Sequence, residues 1–145
     1  MAGRPLARSI AREAAALGPD EKHAAMAGLR AEHILRARGS GDDEEIETFH
    51  DRIRETVLGQ LTPAELAARH LQIALALEAS GRADPDALAQ HFRRAGRSDE
   101  AVEYALQAAE RAAEALAFDR AAALYAYALE AGPGEVEPRR ALRIK

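Results

Sequence analysis

The residues best suited to chemistry in this sequence are the adjacent His50 and Asp51, which follow Phe49. Adjacent His and Asp side chains serve as metal ligands in some phosphohydrolases, but such a site needs further His and Asp ligands. The other histidines fall on separate predicted helices or turns without His-Glu-x-x-His spacing, at His23, His33, His70 and His91. We therefore expect no metal site here, with His50 packing at a turn and Asp51 capping the helix that follows.

The remaining reactive side chains also fit structural roles better than catalytic ones. Asp42-Asp43-Glu44-Glu45 is a carboxylate run after glycines, which is typical of a solvated loop tip and lacks calcium-loop spacing. Ser40 lies between glycines without the Gly-x-Ser-x-Gly elbow or a nearby base. The absence of cysteine excludes thiolate nucleophiles and disulfides. These features predict a chain that is not an enzyme, has no cofactor and resides in the cytoplasm.

The distribution of charge bears on partners. Residues 1–41 carry a formal charge of +3 and residues 42–145 a charge of −7. The acidic part is unsuited to nucleic acid, because phosphate backbones bind cationic surfaces. No run approaches the roughly 20 apolar residues of a membrane span. We therefore expect a protein partner and no membrane, and the acidic part of the chain argues against nucleic acid.

The first third of the chain predicts short helices and a hairpin. Residues 5–17 and a segment ending near Arg30 are predicted helices around the breaker Gly18-Pro19-Asp20. Residues 33–38 and 45–49 flank a Gly-rich polar turn, which is typical of a β-hairpin. In an alternative interpretation, Ile46, Phe49, Ile53 and Val57 form one helical stripe, so residues 45–49 are either strand or helix.

The rest of the chain is predicted to be helical. Thr62-Pro63-Ala64-Glu65 is a capping box, and Asp84-Pro85 begins another helix. The predicted helix over residues 99–116, expected to be the longest, has two apolar stripes, which indicates a helix sandwiched between neighbours. The first stripe is Ala101, Ala105, Ala108 and Ala112, and the second is Val102, Leu106, Ala109, Ala113 and Leu116.

These helices follow the spacing of tetratricopeptide repeats, which places small and aromatic residues at fixed offsets. The downstream match consists of Ala121, Tyr125, Ala128 and Pro133, and the upstream match of Leu88, Ala89, Phe92, Ala101, Ala105 and Ala108. Ala101 and Ala121 hold the same offset only 20 residues apart, which indicates overlapping hairpins that share one helix. Tyr125 and Tyr127 point to different faces, so one is expected in the core and the other at the surface.

Residues 45–55, Glu-Ile-Glu-Thr-Phe-His-Asp-Arg-Ile-Arg-Glu, with Leu61-Thr62-Pro63, resemble a junction in bacterial STAND-class signal-transduction ATPases. The junction joins a winged-helix arm to helical repeats, most similarly in multidomain serine/threonine protein kinases. Residues 2–6, 87–96 and 115–122 extend the resemblance. It implies a mainly α fold, with a winged-helix-like arm remnant over residues 1–61 and tetratricopeptide-like helical hairpins, stacked and antiparallel, over residues 62–145.

The resemblance also implies a function. In those proteins the kinase and the phosphate-binding loop lie upstream, and this sequence contains no Gly-x-x-x-x-Gly-Lys-Ser/Thr or His-Arg-Asp catalytic loop. Both ends of the sequence are accordingly expected to continue in a larger protein. The implied role is a non-catalytic regulatory or scaffolding segment that binds a protein partner or an upstream ATPase or kinase module. His50 would sense nucleotide by contacting the β-phosphate of ADP, and Asp51 would cap the following helix.

Two further expectations complete the hypothesis. The rival function is a DNA-binding winged-helix regulator with a helical dimerisation tail, suggested by the basic first 41 residues and an Arg36/Arg38 wing. Self-association through the C-terminal helices is also expected, because an uncapped helical array leaves apolar residues uncovered. Those residues are Leu124, Tyr125, Leu129 and Leu142.

Overall fold

The computed structural model describes residues 5–15, 17–40 and 44–131. Within these ranges the chain forms three short strands and seven helices, which confirms a mainly α fold. The chain divides into two compact units, one ending at Arg82 and the other beginning at Ala83. The domain boundary inferred from the sequence, after residue 61, falls one helix earlier.

The first unit alternates short strands and helices before two longer helical segments. Its elements are β1 (Leu6–Ala7), α1 (Arg8–Ala14), α2 (Pro19–Ala31), β2 (Leu35–Arg38), β3 (Glu45–Thr48), α3 (Asp51–Gly59) and α4 (Pro63–Ser80). The three strands make an antiparallel sheet in the order β1-β3-β2. A strand, two helices and a closing hairpin thus form the small sheet of this unit, and the winged-helix-like arm stays a prediction.

The sheet decides between strand and helix at residues 45–49. Ile46 lies opposite both Leu6 and Ala37 and is 8% exposed, whereas Val57 is 53% exposed. The alternative in which these two residues share one helical stripe is therefore wrong. The predicted helix over residues 5–17 also needs correction, because Leu6 and Ala7 form β1 and the helix begins only at Arg8.

α4 belongs to the first unit because it packs against α1. Thr62 and Glu65 form the predicted capping box: the Glu65 amide donates to Thr62 Oγ1 (3.3 Å) and the Thr62 amide to Glu65 Oε2 (2.8 Å). Gly81 ends the helix with φ of +65°, a conformation in which glycine avoids the Cβ clash of other residues. With 18 residues α4 is the longest described helix, not the helix at residues 99–116 as predicted.

The second unit is three helices, α5 (Pro85–Arg94), α6 (Ser98–Glu114) and α7 (Phe118–Ala131). α6 packs against both neighbours, and Ala101, Ala105 and Ala109 on it are fully buried. The predicted sandwiching of this helix and its sharing by two hairpins are confirmed. Small side chains at these positions let the helix backbones approach closely.

The described helices include none that is both long and apolar enough to cross a membrane.

Candidate functional site

Phe49, His50 and Asp51 lie where β3 gives way to α3, on the surface of the first unit. The Phe49 amide donates to the Ile34 carbonyl at 2.9 Å, which anchors the backbone beside the hairpin. The Phe49 ring is 46% exposed and meets the His50 imidazole edge-on with 4.8 Å between centroids. His50 is thus an exposed side chain held against an aromatic ring, and its role as a nucleotide sensor stays a prediction.

The helix after this triplet is capped differently from the prediction. His50, with extended backbone angles, is the N-cap of α3, and Asp51 is the first helical residue. The His50 carbonyl accepts the amides of Ile53 and Arg54, but the imidazole makes no cap hydrogen bond. Asp51 therefore acts on the helix only as an acidic group in the first turn, where it complements the helix dipole.

Metal binding has no geometric basis in the described part of the chain. There, no three His, Asp or Glu side chains are grouped closely enough to hold an ion. The remaining histidines are dispersed over α2, the turn after it, α4 and α5, at His23, His33, His70 and His91.

Glu44 departs from the solvated tip predicted for the acidic run; Asp42 and Asp43 lie outside the described residues. Its carboxylate accepts hydrogen bonds from Arg8 Nη1 and, at 2.6 Å, from Arg30 Nη2, and its side chain is only 12% exposed. These hydrogen bonds hold the pKa of Glu44 below its ordinary value, against the opposing effect of desolvation. Glu44 is a structural ion-pair residue that sequence reasoning missed.

A basic cleft lies between α1 and α2, with a volume of 290 Å³. Its lining includes Arg8 and Arg12 from α1, then Lys22, His23, Met26, Ala27 and Arg30 from α2. The sequence pattern alone did not predict this cleft. One signal was present, since Arg8 and Arg12 are four residues apart and Lys22, Met26 and Arg30 repeat at the same interval, which places each set on one helix face.

The wing arginines of the rival DNA hypothesis face an acidic partner. Glu47 on β3 accepts a hydrogen bond from Arg36 Nε at 2.7 Å and lies 3.6 Å from Arg38 Nε. The Arg36 guanidinium also lies 5.9 Å from the centroid of the Phe49 ring. Glu47 thus offsets part of the positive charge of Arg36 and Arg38. Less positive charge is left for a phosphate backbone, which weakens the case for a DNA-contacting wing.

Most residues of the repeat pattern pack in the core of the second unit. Eight are buried, and these are Leu88, Ala89, Phe92, Ala101, Ala105, Ala108, Ala121 and Ala128. Pro133 lies outside the described residues, and Tyr125 is 39% exposed instead of packed. Tyr127 is the core tyrosine, as it packs against the core cluster with the Arg93 guanidinium 4.8 Å from its ring centroid.

The aromatic that the upstream repeat lacks at Ala105 is supplied one residue earlier. Tyr104 stacks on Phe92 with 5.6 Å between ring centroids and 3° between the planes. The small Ala105 meanwhile is completely buried. The hairpin of α5 and α6 is therefore closed by a ring pair in which Phe92 fits the repeat pattern and Tyr104 lies one residue out of register with it.

α7 exposes an apolar stripe, which consists of Phe118, Tyr125 and Leu129. Their exposed fractions are 64%, 39% and 78%, respectively. At about 100° per residue the three side chains fall within about 40° of one another around the helix. The neighbouring face, centred about 90° around the helix from the stripe, carries Ala121, Leu124 and Ala128 and is buried.

Comparisons of the sequence with protein-family models and with curated proteins, and of the fold with solved structures, gave no match.

Proposed function

We propose that the chain is a non-catalytic regulatory or scaffolding module of bacterial cytoplasmic signalling, and that its second unit binds a helix of a protein partner along α7. The exposed apolar stripe of α7 carries this proposal. The resemblance of residues 45–63 to the region that follows the ATPase in STAND proteins supports a regulatory role. It also favours an ATPase or kinase module as the partner.

The adjacent helix α6 shows how an apolar helix face in this unit is buried against a neighbouring helix. α6 also has two apolar faces, and each is covered by a helix, α5 on one side and α7 on the other. α7 has one face covered in the same way, while Phe118, Tyr125 and Leu129 face outward. A further helix laid along α7 would bury these side chains as α6 buries its own, and apolar burial is the main driving force for such association.

The charges beside the stripe indicate the chemistry of the partner helix. Asp119 and Glu130 are exposed and lie together on one flank of the stripe, about 100° around the helix. Arg120 lies on the other side of the helix from the stripe and forms an ion pair with Asp86 of α5. The partner helix should therefore carry an apolar stripe bordered on one side by lysine or arginine, since complementary charges fix its register.

Site-specific photo-crosslinking in cells tests the proposal. A benzophenone amino acid at position 122, beside the stripe, should give a discrete adduct with one partner, and Leu129→Glu should abolish it. The same probe at position 103, an exposed site on α6, is the matched control and should give no such adduct. Equal adducts from both positions, no adduct from position 122, or an adduct only with a second copy of the chain would overturn the proposal.

A further inference from the structure

The basic cleft between α1 and α2 concentrates positive charge in a concave site. Arg8, Arg12, Lys22 and Arg30 contribute four cations to a volume of 290 Å³. Glu44 is the carboxylate paired with this group, and it engages Arg8 and Arg30 only. Among the described residues, these four cations and one carboxylate leave a formal excess of three positive charges.

The four cations of the cleft differ in the ion-pair and hydrogen-bond partners that they have. Among the described residues Arg12 and Lys22 have no acidic partner within ion-pair distance. The Nε of Arg30 is buried without a hydrogen-bond partner in that part of the chain, although its Nη2 donates to Glu44. A buried donor left unpaired is costly. The capacity of the cleft to donate further hydrogen bonds to an anion rests on Arg12 and Lys22, which line it without an acidic partner among the described residues.

Glu44 also prepares the cleft for a ligand. By holding Arg8 and Arg30 in place, it fixes two guanidinium groups beside the freer Arg12 and Lys22. Ordering side chains before binding lowers the entropy lost when a ligand arrives. Within the part of the chain that the structure describes, Glu44 therefore positions Arg8 and Arg30 and leaves the charges of Arg12 and Lys22 unpaired.

The lining indicates the class of anion. Guanidinium groups match phosphate oxygens in a bidentate geometry, and a lysine adds a mobile point charge. Met26 and Ala27 add apolar surface to the same cleft. The volume of about 290 Å³ lies just below the range of about 300 to 1,000 Å³ for small-molecule sites, which favours a small ligand. A row of cations following a nucleic-acid backbone would be more extended than this concave cluster.

We propose that this cleft binds a small phosphate monoester, with Arg8, Arg12, Lys22 and Arg30 holding the phosphate and Met26 contacting a small apolar substituent. The site lies in the first unit, and this proposal does not rest on partner binding along α7.

NMR titration of the ¹⁵N-labelled chain at constant ionic strength tests the site, with inorganic phosphate and phenyl phosphate as probes. Saturable amide shifts are expected at Arg12, Lys22 and His23, and phenyl phosphate should bind more tightly because of Met26. The double variant Arg12→Gln/Lys22→Gln should weaken binding about tenfold or more, since it removes charge-assisted hydrogen bonds.

The control variant is Arg52→Gln/Arg94→Gln, which removes the same charge at exposed positions outside the cleft and should bind like wild type. Linear, unsaturable shifts in the wild type would overturn the proposal, as would an equal loss in the control. Random duplex DNA is the third probe. If it binds more tightly than phenyl phosphate and the cleft variant weakens it, the cleft belongs to a nucleic-acid surface and the proposal is wrong.

Discussion

At the scale of single residues, Glu44 joins separate segments of the first unit. Its carboxylate accepts from Arg8 and Arg30, and its carbonyl accepts the Arg8 amide at 2.8 Å. The lowered pKa of Glu44 means that folding favours its charged form. This contribution to stability is complete above the unfolded-state pKa of about 4.3 and is lost as the pH falls through the lower folded-state pKa.

We expect the melting temperature of the wild type to fall as the pH is lowered from 6 to 3. Glu44→Gln should flatten part of that fall, while the residual slope includes Glu65, whose pKa is lowered by its hydrogen bonds to Thr62. Glu45→Gln, at an exposed strand position, is the control and should keep the wild-type profile. Superimposable profiles for Glu44→Gln and wild type would contradict a stabilising role for the ion pairs.

His50 and Asp51 are expected to affect stability differently when each is replaced by alanine. Because Asp51 is the first helical residue and not the N-cap, Asp51→Ala should lower stability by about 0.3 to 1 kcal/mol through the lost dipole interaction. A true N-cap loss would cost about 0.5 to 2 kcal/mol. His50→Ala should leave the fold intact, because the imidazole is exposed and makes no cap hydrogen bond. Thermal melts of the two variants decide this, and unfolding by His50→Ala alone would show a structural histidine.

At the scale of elements, the sandwiched α6 is sensitive to added volume. Ala108→Leu should destabilise the chain by about 1 to 3 kcal/mol, because Ala108 is 5% exposed within the core cluster and extra methyl groups force neighbouring helices apart. Gln107→Leu adds the same side chain at an exposed position and should change stability by less than about 0.5 kcal/mol. Chemical denaturation measures both, and similar values would mean that α6 is loosely packed.

The end of α6 shows why the predicted stripe was one residue too long. The Ala117 amide donates to the Ala112 carbonyl (2.8 Å) and the Leu116 amide to the Ala113 carbonyl (3.0 Å), which is a Schellman motif. Leu116 therefore lies in the left-handed region with φ of +58° and is 73% exposed. The same motif ends α5, where the equivalent position is Gly96 with φ of +74°.

Leu116→Gly should accordingly stabilise the chain by up to about 1 kcal/mol, since relief of left-handed strain exceeds the entropy that glycine adds to the unfolded state. Ala115→Gly is the control. Ala115 has a φ of −82°, so glycine there should be neutral or destabilising. Denaturation midpoints compare the two, and a loss of stability in Leu116→Gly would show that the exposed leucine makes a contact worth more than the strain.

At the scale of the whole molecule, the apolar stripe of α7 should make the chain self-associate at high concentration. Leu124, expected in this surface, is 8% exposed and belongs to the core, and Leu142 lies outside the described residues. Tyr125 and Leu129 remain, together with Phe118, which the prediction had missed. Exposed apolar clusters of this kind favour association.

Leu129→Glu should reduce self-association in sedimentation velocity at millimolar protein by placing a charge in the stripe. Val57→Glu introduces the same charge at another exposed apolar position, on α3, and should sediment like the wild type. A wild-type chain that stays strictly monomeric at that concentration would rule out a cohesive stripe.

The sequence by itself determined the features that depend on a few consecutive residues. The capping box of Thr62 and Glu65, the left-handed stop at Gly81 and the two apolar faces of α6 all follow from local backbone chemistry or from the 3.6-residue period. The same local signals gave the hairpin of β2 and β3 without deciding between strand and helix for its second half. For the candidate site, the sequence named His50 and Asp51 but assigned the cap to Asp51, whereas the structure places His50 at the N-cap.

Only the tertiary structure decided the features that join distant segments. β1 is two residues long and exists because Leu6 pairs with Ile46, so no periodicity in its own neighbourhood could reveal it. The ion pair of Arg8 with Glu44 spans 36 positions, and the basic cleft needs α1 and α2 to face each other. Charges become a site only when the fold brings them within a few ångströms, because Coulomb interactions between separated residues in an unfolded chain are screened by water and salt.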